Sequence, residues 1–109
     1  MKAVLIMGST SDQPHADKIT STLDTLGVKH EVHAASAHKN PEKVLEIIRS
    51  FGENDAVVFV TIAGRSNALS GFVGANCKKP TIACPPFKDK VDMSINIHST
   101  LQMPSKTPV

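Results

Sequence analysis

Three short polar segments, each following an apolar run, hold the residues that could do chemistry: Gly8-Ser9-Thr10-Ser11-Asp12, Ser36-Ala37-His38-Lys39-Asn40 and Gly64-Arg65-Ser66-Asn67. The first offers a glycine for close backbone approach, three hydroxyls and a carboxylate. It lies beside a helix start, where the positive end of the helix dipole favours an anion. A phosphate suits such a segment, with Asp12 binding sugar hydroxyls; the plainer alternative is that Ser11 or Asp12 only caps the helix. It is not a P-loop, because no Gly-Lys-Ser/Thr follows at the required spacing, and it is not the dinucleotide fingerprint. The second segment sets His38, a group that titrates near neutrality, between Ser36 and Lys39, where it could move a proton. A lone loop histidine is otherwise simply solvated. The third joins Arg65 to two side chains able to cap a helix, Ser66 and Asn67, and so presents donors to an anion. Lys39 and Arg65 are both placed to neutralise a phosphate, although Arg65 could instead pair with a carboxylate of another subunit.

The remaining reactive residue types have duller explanations. His15 reads as a helix start, and His30 and His33 as strand positions that face opposite sides and cannot share a metal. His98 falls where the pattern is weakest. Cys77 and Cys84 lie in different elements, without metal-type spacing and without a base or cationic niche, so they read as free thiols. Nothing in the spacing supports a metal site.

The elements that must position these segments follow from periodicity. Met1–Met7 is a first strand, and a helix with Pro14 at its first position carries Ala16, Ile19, Leu23 and Leu26 on one face until Gly27 stops it. Val28–Ala35 alternates as a second strand. Pro41 opens a second helix whose Val44, Ile47, Ile48 and Phe51 fall at i, i+3, i+4 and i+7. Val57–Ala63 is an unbroken apolar and β-branched run, a strand buried on both faces, and a helix resumes at Ala68. Thr81–Cys84 is a short fourth strand that runs into Pro85-Pro86. Val91–Leu101 could be a helix, although Asn96 to Thr100 is poor helix material, and the tail from Gln102 is irregular. Strand and helix alternating with short connections give an α/β fold, a three-layer sandwich with a doubly wound parallel sheet in the flavodoxin-like order 2-1-3-4. Right-handed crossovers then bring the strand-to-helix loops, including 85–89, to one rim of the sheet, where such folds bind ligands.

Bulk properties limit the function classes. At 109 residues, the length is that of one domain. A net charge of +2, with four Phe and no Trp or Tyr, gives neither the charge nor the stacking platform of a nucleic-acid binder. Nothing approaches membrane-spanning length. The apolar part of the first residues is too short for a signal peptide, which makes a cytoplasmic address the default.

Taken together and in order, MGSTSD, SAHK, AGRSNALSG and ACPP closely resemble the phosphoribosylaminoimidazole carboxylase (PurE) family of purine biosynthesis, over about Lys2 to Pro104. AGRSN, with Lys39 after His38, is similar to the class II branch that includes the animal and spirochaete-type enzymes, which use carbon dioxide directly on aminoimidazole ribonucleotide. The commoner bacterial branch has Gly-Gly-Ala-Ala-His in the third loop and Arg after the second-loop histidine, and it rearranges the N-carboxylated ribonucleotide as a mutase. The resemblance implies that His38 moves a proton on or off the imidazole ring. It also implies a substrate-binding set of Gly8, Ser9, Ser11, Asp12, Ser36, Lys39, Gly64, Arg65, Ser66 and Asn67. No metal, biotin, ATP or other cofactor is implied, and the assembly would be an octamer with sites shared between subunits. Family members usually continue past the MPSG-like segment into a further helical region, whereas Lys106 stands here where glycine is common and Gln102 where arginine is common. Residues 1–109 would then be a single PurE-like domain lacking that region, with a nucleotide-binding module that turns nothing over as one alternative. A rival from another class is a flavodoxin-like binding or signalling module. No Trp or Tyr is present to stack on a flavin, and the first strand ends in Gly-Ser rather than the paired acids of a phospho-receiver.

Overall fold

A computed structural model describes all residues, 1–109. Four parallel strands, β1 (Lys2–Met7), β2 (Lys29–Ala34), β3 (Val57–Ile62) and β4 (Thr81–Ala83), form one sheet in the order β2-β1-β3-β4. β1 lies between β2 and β3, with Lys2 opposite both Lys29 and Val57 and Met7 opposite both Ala34 and Ile62. Because side chains alternate along a strand, β1 and β3 serve two cores. On one face Val4, Ile6, Val57 and Phe59 pack under α2 (Pro41–Arg49) and α3 (Ala68–Asn76), through Val44, Ile47, Ile48, Leu69 and Val73. On the other, Ala3, Leu5, Met7, Val60 and Ile62 pack under α1 (Gln13–Thr25) through Ala16, Ile19 and Leu23. Burial on both faces explains why β1 and β3 read as continuous apolar runs, while the edge strand β2 is only half-buried.

One polar pair interrupts the first core and is satisfied internally: the Thr61 and Ser70 hydroxyls bond at 2.6 Å. The region after β4 differs from a continuous helix. It divides into α4 (Lys90–Asn96) and α5 (His98–Leu101), where Asn96 Nδ2 donates to the Asp92 carbonyl (3.1 Å) and Ser99 Oγ to the Asn96 carbonyl (3.1 Å). Side chains of this kind compete for backbone groups and weaken a helix interior. The tail runs back along α3, where a Cβ at Gly71 would stand 3.0 Å from Met103 Sδ and one at Gly74 would stand 2.9 Å from the Pro108 carbonyl oxygen. No helix is long and apolar enough to cross a membrane. All four strands run the same way, so their carboxyl ends share one rim, and the polar segments leave from it.

Candidate functional site

At that rim the segments enclose a cleft of about 750 Å³. Gly8, Ser9, Ser11 and Asp12 form one wall, Ser36, Ala37 and His38 a second, and Ala63, Gly64, Arg65, Ser66 and Ala68 the floor and third wall. Pro86, Phe87 and Lys88 close the fourth side, joined by Pro14, His15 and Lys18 of α1 and by Asp92 of α4. Every sequence-predicted residue except Lys39 and Asn67 therefore meets in one place.

The first wall is shaped by Ser9, whose Oγ accepts from Ser11 N (3.2 Å) and pairs with Ser11 Oγ (2.8 Å), capping a 3₁₀ turn over Thr10–Asp12. The cap is thus Ser9 and neither Ser11 nor Asp12. Asp12 stands at the start of α1 without a capping bond, so its carboxylate is left for the cleft. Burial raises the Asp12 pKa, and attraction to His15 partly offsets that rise. In the second segment Ser36 N donates to Asn40 Oδ1 (2.7 Å) and Lys39 N donates to Ser36 Oγ (3.2 Å), a closed turn that leaves His38 exposed at the cleft mouth. Lys39 is exposed too, but it lies outside the lining.

Asn67 is turned inward. It is 4% exposed, its Oδ1 accepts from Ser70 N (3.1 Å), and its Nδ2 donates to Ser70 Oγ (2.8 Å) and Thr100 Oγ1 (3.0 Å). It caps α3 and ties it to α5, so in this chain it supports the wall and does not face a ligand. Ser66, just before it, adopts φ +43°, the left-handed region that costs a non-glycine residue roughly 1 kcal/mol or more. Gly64 admits the fourth wall: a Cβ there would stand 2.6 Å from the Pro86 carbonyl oxygen.

Arg65 finds a partner within its own chain, Asp92 Oδ1 at 3.7 Å. The Asp92 carboxyl is held below the usual range, first by the Lys88 N–H (2.9 Å), then by the Asn96 amide (2.8 Å) and the Arg65 and Lys88 charges. Cationic groups in the cleft are thus Arg65, Lys18 and Lys88, where the sequence pointed to Arg65 and Lys39. His15, Lys18 and Asp92 were missed. His15 and Lys18 follow Asp12 at helical spacing on a helix that begins at the rim, a signal present in the sequence; Asp92 sits where the helix pattern is weak.

The AIR carboxylase family model matches residues 2–109. The chain belongs to the AIR carboxylase family. It is 57% identical to a phosphoribosylaminoimidazole carboxylase of Archaeoglobus fulgidus, over 96% of this chain and 57% of that one. It is 42% identical to an N5-carboxyaminoimidazole ribonucleotide mutase of Methanocaldococcus jannaschii, over 96% of this chain and 64% of that one. Among solved structures, Treponema denticola PurE superimposes with a TM-score of 0.89 at 42% identity, covering 99% of this chain and 69% of that one. The chain therefore spans about three fifths of the length of these curated relatives. The AIR carboxylase fold, with its sheet order 2-1-3-4, is the architecture expected from the alternating strands and helices.

Proposed function

We propose that this chain carboxylates 5-aminoimidazole ribonucleotide reversibly with carbon dioxide, giving 4-carboxy-5-aminoimidazole ribonucleotide in de novo purine biosynthesis. The observation that carries this reading is the meeting of His38, Ser9, Asp12, Arg65 and Ser66 around one cleft in a chain of this family. In the proposal, Gly8, Ser9, Ser11 and Asp12 hold the ribose phosphate beside the start of α1. Ser36, Gly64, Arg65 and Ser66 line the phosphate and carboxylate region, and Lys39 contributes from the rim. Ala37, Ala63 and Ala68, all in the lining, supply an apolar niche for a small electrophile with few polar handles.

The chemistry asks little of the protein. The aminoimidazole ring is an electron-rich, enamine-like carbon nucleophile. Its electron pair forms the bond to carbon dioxide, one C=O pair becomes carboxylate charge, and His38 takes the ring proton so that aromaticity returns. Holding the two reactants in place can supply roughly 7–11 kcal/mol in the best cases. General acid–base catalysis by a histidine adds about 10²–10⁴-fold. Arg65 and backbone donors would stabilise the new carboxylate.

The second reading, a mutase that rearranges the N-carboxylated isomer, is favoured by the M. jannaschii relative's name. Purified protein given the ribonucleotide with bicarbonate or carbon dioxide, or given the N-carboxylated isomer, separates the two. Turnover of the isomer alone defeats the carboxylase assignment. The proposal also takes residues 1–109 as one PurE-like domain working in the cytoplasm within an octamer. Sedimentation alongside the assay tests the assembly, and a monomer that binds substrate without turnover speaks for a binding module.

A further inference from the structure

We propose that His15 is a positioning residue that fixes the width of the cleft by tying the end of β4 to the first turn of α1. Its Nε2 lies 3.0 Å from the carbonyl oxygen of Cys84, a half-buried contact between residues 69 positions apart. A carbonyl oxygen only accepts, so Nε2 carries the hydrogen in this contact.

The chain beyond Cys84 needs such an anchor. Cys84 N makes the last bond to the sheet, 2.8 Å to the Thr61 carbonyl. Pro85 and Pro86 have no N–H, and residues 85–87 make no backbone–backbone hydrogen bond. Besides the packing of Cys84 on the core beneath α1, this segment, which forms the fourth wall, is held at three points. Pro86 rests on Gly64, Lys88 N bonds Asp92, and the Cys84 carbonyl receives His15. The first two attach the wall to the third loop and to α4. Among its hydrogen bonds only that of His15 ties it to α1, which follows directly on Asp12 of the first wall. Losing it leaves the two walls free to separate around a bound sugar phosphate, which weakens binding more than it slows a proton transfer centred on His38.

The kinetic test rests on the proposed ribonucleotide chemistry; the contact itself does not. His15→Gln keeps an N–H near the position of Nε2, and His15→Leu fills the space without a donor. A lost hydrogen bond of this kind predicts that His15→Leu raises KM for the ribonucleotide about 3- to 10-fold with kcat nearly unchanged, while His15→Gln stays within about twofold of the parent. Equal behaviour of the two variants, or a fall in kcat at constant KM, overturns the proposal. Should His15→Leu fail to fold, the Gln variant and nitrogen NMR of the parent chain decide. The ¹⁵N spectrum must show the Nε2–H tautomer at His15, and the Nδ1–H tautomer overturns the proposal outright. A parent chain inactive on both ribonucleotides refutes the enzymatic reading and leaves the tautomer measurement standing.

Discussion

His38 is exposed at the mouth of the cleft, where, in the proposed reaction, water would return or remove the proton that its imidazole exchanges with substrate. His38→Asn keeps a hydrogen-bonding side chain but cannot carry that proton. Turnover is therefore expected to vanish while substrate affinity stays within about tenfold, measured by single-turnover kinetics beside equilibrium binding. An equal loss in both would make His38 a binding residue. The placement of His38 at the cleft was legible because it stood on a rim that strand and helix alternation alone locates. The partner of Arg65 was not legible. Asp92 lies 27 positions further on, in a stretch whose side chains bond to their own backbone, so no periodicity marks its direction. Lys39 and Asn67 show the converse limit: loop membership was correct for both, but residue type does not say which way a side chain turns.

Among the elements, α1, α2 and α3 were readable because proline or a capping side chain marks their starts and an apolar stripe marks the buried face. The split between α4 and α5 was not, since it depends on local competition for carbonyls. Asn67 joins α3 to α5, and its loss should be felt in the fold. Asn67→Ala removes a helix cap and leaves Ser70 short of a partner, which together should lower stability by about 2–4 kcal/mol in urea titration. A change within 0.5 kcal/mol, on the order of a neutral surface substitution, would show that the cap is dispensable. Gly64 joins the third loop to the fourth. Gly64→Ala forces its new methyl into the Pro86 carbonyl and should cost about 1–3 kcal/mol as well as raising KM. Unaltered denaturation and kinetics in that variant would mean that the two loops do not touch in solution.

For the whole molecule, an ion cluster on the β1–β2 side sets an acid limit. Glu31 accepts from His33 Nε2 (2.9 Å) and from Lys2 Nζ (2.9 Å), and Lys2 also lies 5.9 Å above the Phe51 ring. These bonds, the His33 one foremost, hold the Glu31 carboxyl below its ordinary range. A depressed carboxylate stabilises the native state above its unfolded pKa, and that stabilisation is lost as pH falls through the lower, folded value. The expected outcome is a Glu31→Gln variant whose thermal midpoint is lower than the parent's at neutral pH and converges with it in acid. Parallel curves would remove Glu31 from the acid transition. The global arrangement was legible further than any contact within it, because parallel strands with short helical connections leave few ways to close a sheet.

β1 is greasy on both sides and leaves the ribosome before the helices that cover it: α1 ends at Thr25 on one face, and α2 and α3 at Arg49 and Asn76 on the other. At about 5–20 residues per second, a ribbon that needs two covers waits roughly 3–14 s for the second of them to be complete. During that interval the nascent chain is a target for chaperones and for its own siblings. The cleft cannot close until Asp92 has emerged, so a ligand can stabilise the finished molecule but cannot guide the start of its folding.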